Sequence, residues 1–348
     1  CIRDRSLILT LIISLLLTIP TVTASRLLLA WMHTPENIIA MADAYIKVIF
    51  AGILLTMAYN VLSGILRGIG DSRTPLYFLI LSSVLNIILD VVLIVYTGLG
   101  TAGAAYATII AQGVSAVLCF FYMYRKYDIL RTRHEDYYLD SAGVKNMLAI
   151  GVPMALNYSI TAIGTMIMQS AVNVFGSSVV AAFTAASKVS NIATQSMPTL
   201  GTAMATYCGQ NLGAGKYDRI YAGMRQGLFL CFGAAATAAA ICIFGGRFIV
   251  SWFVSNPSEE IFSSAMQYLT IASWFFLPLA MIFLYRNALQ GLGEGLVPML
   301  SGVIELVCRF VAIALLQKPL GYQGICLADP AAWVGACLLY TSDAADDA

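Results

Sequence analysis

The sequence predicts an all-α integral membrane protein. Of its 348 residues, 59% are hydrophobic and only 11% are charged, against about 25% charged residues in a soluble domain. The mean hydropathy is +0.82. Apolar runs of the length a spanning helix needs, about 20 residues, recur from end to end.

About ten such runs are read, over 6–31, 38–66, 75–96, 102–124, 146–174, 179–206, 222–253, 261–290, 296–317 and 322–340. Short connections rich in Gly, Pro, Asn or charge separate them. The longest connection, 125–145, leaves no room for a soluble domain.

Composition also excludes several classes. A net charge of +1 offers no bulk attraction to nucleic acid. The eight cysteines show no CxxC spacing, and most sit in apolar runs, where Cys acts as a small hydrophobe. Neither a disulfide framework nor a metal site is expected. His33 and His134 lie far apart and have no local ligand partner. No HExxH, no GxSxG and no His–Asp pair within a span points to an enzyme, and no cofactor is implied. Gly209–Gly215 is glycine-rich but lacks the Gly-Lys-Ser/Thr of a phosphate-binding loop; it reads as a tight turn between spans.

Basic residues orient the spans. Of the nineteen Lys and Arg residues, most fall on one set of alternating connections. These hold Arg67 and Arg73, then 125–145 with Arg125 and Lys126, then 209–225 with Lys216 and Arg219, then Arg286. Arg3 and Arg5 lie on the same side. The opposite connections hold one, Lys318. Lys and Arg accumulate in cytoplasmic loops, so the first set is assigned to the cytoplasm and the chain to the plasma membrane.

The two halves repeat. Arg26–Trp31 parallels Arg247–Trp252 at an offset of 221, Arg67–Asp71 with Pro75 parallels Gln290–Glu294 with Pro298 at 223, and Leu99-Gly100 with Gly103 parallels Leu320-Gly321 with Gly324 at 221. Cys1 then pairs with about Ala222. The spans in 146–221 belong to the second half alone, so the full unit has six spans and the first half lacks its first two. An even number of spans makes the halves parallel repeats. The expected organisation is a first lobe over 1–126, a linker over 127–145, a second lobe over 146–340 and a small acidic, non-native tail over 341–348.

Polar residues inside spans need a reason, because the bilayer penalises them. Lys188, Asn191, Gln195, Thr199, Thr202 and Thr206 fall within about 80° of one helix face. Such a stripe lines a water-filled path or glues helices together; Lys188, needing water or a counter-ion, favours the path. Pro198 should kink this helix. Asn157, Thr161, Thr165, Gln169 and Asn173 form a looser row, read equally as packing or as cavity lining. Asn86 and Asp90 stand one turn apart. Asp90 must bind a cation, be protonated, or reach water near the end of its span. Glu305 and Arg309 have the spacing of a helical ion pair, structural or involved in coupling.

These residues resemble the multidrug and toxic compound extrusion (MATE) family. The resemblance rests on Gly64–Pro75, on Leu85–Asp90, on Gly103–Thr108, on Gly151-Val152-Pro153 and on the Gly209–Gly215 loop with Lys216. It implies twelve helices in two six-helix lobes, of which this chain carries about ten. It also implies export of lipophilic, often cationic compounds in exchange for Na⁺ or H⁺. A first-lobe cation site would use Asp90, Asn86, Thr108 and Asn60. The site's further Asp, on the family's first helix, has no match in this sequence. The second-lobe carboxylate of some members would fall near Thr161, where none is present. The substrate cavity would be lined by Lys188, Asn191, Gln195, Thr199, Thr202, Asn157 and Thr161. Partners would be small molecules and membrane lipids, with a monomer favoured. A lipid-linked-precursor flippase of the same superfamily, which would want a more basic cavity than Lys188 alone offers, and a channel are the rival readings.

Overall fold

A computed structural model describes residues 2–31, 36–128, 141–254 and 258–346. His33, His134, Arg131 and Arg133 lie outside the described residues, as do most of the expected linker and the last two residues of the tail. The side chains of Arg3 and Arg5 are outside the description as well.

The described residues are helical throughout, with no strand. They form two compact units that divide between Asn146 and Met147. The first holds α1 (Ile2–Thr23), α2 (Ser25–Trp31), α3 (Glu36–Ala51), α4 (Ile53–Gly68), α5 (Arg73–Val91) and α6 (Gly100–Lys126). Then α7 (Ser141–Asn173) begins inside the expected linker and runs into the second unit. There follow α8 (Ser177–Thr194), α9 (Ser196–Gly213), α10 (Tyr217–Ala240), α11 (Gly246–Phe253), α12 (Glu259–Ser273), α13 (Phe276–Gly291), α14 (Leu296–Leu320), α15 (Tyr322–Cys326) and α16 (Ala328–Asp346). Residues 341–346, expected as a tail, continue α16.

Six of the ten apolar segments are single helices or helices joined by a wide turn that are long and apolar enough to cross a membrane; two bent pairs, α3/α4 at 44° and α12/α13 at 53°, bring the number to eight. The other two expected spans are helical but broken. α15 and α16 part at Leu327, and α8 and α9 part at Gln195. The second break has a chemical cause. Pro198 has no N–H to give the Thr194 carbonyl, and the chain closes instead on a three-residue turn, Gln195 N–H to Ile192 O at 3.4 Å. The kink expected at Pro198 therefore lies one turn before it.

The repeat is visible inside each unit. After α4, Gly70 takes φ 93° and after α13, Gly293 takes φ 95°, a conformation that glycine adopts without strain. Gly70 N–H reaches Arg67 O and Asp71 N–H reaches Leu66 O; Gly293 N–H reaches Gln290 O and Glu294 N–H reaches Leu289 O. Both helices thus end in the same Schellman closure. The acidic residue then caps the next helix. Asp71 accepts from Thr74 N–H at 3.1 Å, and Glu294 accepts from Leu296 N–H at 2.8 Å. Each unit also bends its paired helix at an equivalent point, Gly52 or Trp274-Phe275.

Asp71 is the more tightly held cap. Burial pushes its carboxyl up, but hydrogen bonds from the Tyr127 hydroxyl and from the Thr74 hydroxyl and amide, with the Lys126 charge, outweigh that and bring it down to about 2. The Tyr127 bond is 2.7 Å and Lys126 Nζ stands 3.8 Å away. The stability this contributes is complete above pH about 4 and is lost as pH falls through about 2. Asp71→Asn is expected to cost about 2 kcal/mol at pH 7, and the gap from wild type should close between pH 4 and 2. A gap that persists at pH 2 in detergent unfolding would contradict this account.

Small residues let the helices approach, as expected where apolar burial gives little net drive. Ala182, Ala186, Ala238, Ala272 and Ala280 are fully buried in the second unit, around Phe276 and Leu269. In the first unit Leu66, Cys119 and Met123 are fully buried. By contrast α5 exposes Leu76, Ile80, Val84, Ile87 and Val91, a surface suited to lipid. Some of the close packing is backbone on backbone. A Cβ on Gly291 would stand 2.2 Å from Ala205 O. Gly291→Ala should therefore destabilise the chain by about 1–3 kcal/mol. Gly64→Ala, with nothing within 4 Å, should be neutral or stabilising by up to about 1 kcal/mol. Equal thermal midpoints for the two variants would refute the packing argument.

Arg286, assigned to a cytoplasmic loop from the sequence, is not in a loop. It sits inside α13 with 12% of its side chain exposed.

Candidate functional site

In the first unit, α5 and α6 bring Asn86 to Thr108: the amide donates to the hydroxyl at 3.4 Å, and Thr108 donates to Ala104 O at 3.0 Å. One turn on, Asp90 Oδ1 is buried with no hydrogen-bond partner among the described residues. One turn beyond Thr108, Gln112 Oε1 is also buried and unpartnered. Gln112 escaped sequence reading because a single amide inside a span carries no pattern; its spacing of four from Thr108 was the available signal. Asn60 is not brought into this group. Its side chain is exposed and bonds Thr56 O on its own helix at 2.9 Å, since an amide on a spanning helix satisfies itself most simply one turn back.

In the second unit a cavity of 410 Å³ is lined by residues of α7, α8, α12, α13, α14 and α16. Lys188 and Asn191 line it, with Thr165 and Gln169 of the looser row. Gln195, Thr199 and Thr202 do not. They are exposed beyond the α8–α9 break, and Thr199 and Thr202 donate to carbonyls one turn back, Gln195 O and Pro198 O. Asn157 and Thr161 do not line it either. Asn157 is buried against α14 and donates to Pro298 O at 2.8 Å, in a gap that Gly302 leaves open. Thr161 donates to Asn157 O at 3.0 Å. This end of the row is packing.

Glu305 and Arg309 do not pair with each other. Glu305 takes the Arg286 guanidinium from α13, and Ser301 Oγ accepts from Arg286 at 3.1 Å. Arg309 Nε donates to Asp329 Oδ1 of α16 at 3.0 Å, and Tyr268 hydroxyl donates to Asp329 Oδ2 at 3.0 Å. Packing of α14 against both α13 and α16 gives each charge a partner that closes a helix–helix contact, which an intrahelical pair cannot do. Asp329 and Tyr268 were missed by spacing within one segment. The repeat held the signal.

The offset 223 carries Asn86 to Arg309 and the offset 221 carries Thr108 to Asp329. The structure confirms the register beside them. A Cβ on Gly103 would meet Leu93 O at 2.9 Å, and one on Gly324 would meet Leu316 O at 2.1 Å. The neutral Asn86–Thr108 contact of one unit is thus the Arg309–Asp329 ion pair of the other. Likewise Ser63 and Ser82, both buried, stand where Arg286 and Glu305 pair.

The family model MatE matches residues 3–92 and 153–315. The chain belongs to the MatE family. MatE proteins are transporters rather than enzymes, and this one is a multi-pass membrane protein. It is 31% identical over 326 residues to the probable multidrug resistance protein YpnP of Bacillus subtilis, covering 92% of this chain and 70% of that protein. It is 24% identical to the probable multidrug resistance protein NorM of Thermotoga maritima, covering 95% and 71%. The fold matches that of an outward-facing MATE family transporter of the MOP superfamily, with a TM-score of 0.90 at 23% identity over 99% of this chain and 78% of that one. A MOP superfamily transporter from Pyrococcus furiosus matches with a TM-score of 0.93 at 22% identity, over 99% and 78%. The MatE match includes both Asn86 and Asp90 in the first unit and Lys188, Glu305 and Arg309 in the second.

Proposed function

We propose that this chain exports lipophilic, often cationic compounds across the plasma membrane by alternating access, driven by exchange for Na⁺ or H⁺. The observation that carries the coupling is Asp90. A carboxylate oxygen buried without a partner, one helical turn from an amide that contacts a hydroxyl, calls for a cation or a proton. Oxygen ligands suit a hard cation, and a proton satisfies the same oxygen. Occupation of Asp90 favours one state of the transporter and substrate favours the other, so by linkage each weakens binding of the other. The multidrug resistance relatives support the substrate class. The basic connections around Arg67, Arg73, Arg125, Lys126 and Lys216 face the cytoplasm in this reading, and the transporter works as a monomer.

The test is dye export from loaded vesicles under an imposed gradient. Export of ethidium that follows a Na⁺ or a H⁺ gradient is expected. Export indifferent to both gradients would end the antiport reading, and conductance without exchange would favour a channel. The flippase reading draws on Arg309, which adds a second cation to the cavity of Lys188. Asp329 neutralises that addition, so the exporter reading stands first.

A further inference from the structure

We infer that the cavity of the second unit is a binding site for an amphiphilic anion, an aromatic body carrying a sulfonate or carboxylate. Three charged side chains line it: Lys188, Arg309 and Asp329. The carboxylate is already used. Its Oδ1 accepts from Arg309 Nε and its Oδ2 from the Tyr268 hydroxyl, each at 3.0 Å. Arg309 is fixed in turn: 6% of its side chain is exposed, and Nη1 lies where a Cβ on Gly164 would stand. The pair cancels itself and offers no free negative charge. A cation entering this cavity finds no counter-ion and meets the Lys188 ammonium.

An anion finds the reverse. Lys188 makes no ion pair among the described residues, and its ammonium rests over the Phe253 ring, 5.5 Å from the centroid. Its side chain is exposed. Beside it, Ser187 Oγ is buried without a partner, a donor in search of an acceptor. Asn191 lies one turn along on the same lining. Phe183, Phe283 and Trp333 supply apolar and aromatic wall. Polar and charged groups together with an aromatic wall, in a few hundred Å³, suit a small amphiphilic ligand. The net charge of +1 decides its sign. Calling the ligand a substrate rests on the export reading above; its binding does not.

The experiment compares two ligands of one shape and opposite charge, 2-naphthalenesulfonate and naphthyltrimethylammonium. Their binding to the purified chain in uncharged detergent is measured by titration calorimetry. The sulfonate is expected to bind at least tenfold more tightly. Lys188→Glu should weaken the sulfonate by tenfold or more and strengthen the ammonium ion. Lys188→Met should weaken the sulfonate and leave the ammonium ion nearly unchanged. Lys188 is exposed and carries no ion pair, so both variants should keep the wild-type melting temperature. Equal or tighter binding of the ammonium ion by the wild type would overturn the inference. So would an unchanged ratio in Lys188→Glu. Vesicle export separates the two readings. Gradient-driven ethidium export with no charge preference in the cavity sinks the anion site and leaves the exporter. The charge preference without gradient-driven movement of either naphthyl ion or ethidium keeps the site and sinks the exporter.

Discussion

Arg286→Met is expected to destabilise the second unit by about 3–5 kcal/mol, the usual cost of stripping one partner from a buried ion pair. Only 12% of the Arg286 side chain and 8% of that of Glu305 are exposed. Without the guanidinium, the Glu305 carboxyl is left buried without its ion-pair partner. Ser301 Oγ loses a donor as well, although the Tyr340 hydroxyl still donates to it at 2.6 Å. The matched double variant, Arg286→Met with Glu305→Met, should recover most of the loss, because a packed apolar pair often replaces a buried ion pair at little cost. Thermal unfolding in detergent, read on wild type, both singles and the double, measures the coupling. A single variant within about 1 kcal/mol of wild type would mean that the pair carries no such weight.

Asp90→Asn should abolish gradient-driven export while leaving folding and membrane insertion intact. The asymmetry follows from the structure: Oδ1 has no hydrogen bond to lose, so the amide removes the proposed coupling carboxylate without breaking a contact. Thr108→Val should be milder, since Thr108 offers one hydroxyl oxygen beside Asn86. Initial rates of ethidium export, normalised to protein in the membrane, give the readout. Wild-type rates for Asp90→Asn would remove Asp90 from the coupling mechanism.

Much of the fold was legible because membrane helices announce themselves by composition over long windows. The turns were legible for a stereochemical reason. Gly70 and Gly293 mark positive φ, and the acidic residue after each marks a cap, so sequence and backbone geometry coincide. The candidate site was legible only where one helix suffices to define it. Asn86 and Asp90, or Lys188 and Asn191, share a face by spacing alone. Contacts between helices were not legible in the same way. Glu305 and Arg309 sit four apart, yet each turns to another helix, because a bond across an interface satisfies both a charge and a packing gap. Asn157 looked like one member of a polar row and instead plugs the space beside Gly302. The break at Gln195 turned Gln195, Thr199 and Thr202 away from the cavity that Lys188 enters, which a continuous helical wheel cannot anticipate.

The Arg309–Asp329 pair has a meaning for the history of the two halves. Where the first copy has Asn86 against Thr108, the second has a positive charge on a covalent leash, permanently matched to its acid. That copy carries its counter-ion in the gene. The first copy keeps an acid, Asp90, whose Oδ1 has no hydrogen-bond partner among the described residues; in the export reading proposed above, its positive charge comes from solution. Two exchanged positions, Asn86 for Arg309 and Thr108 for Asp329, thus separate a half that matches its charges internally from a half that, in the proposed coupling, reads the ions its surroundings supply.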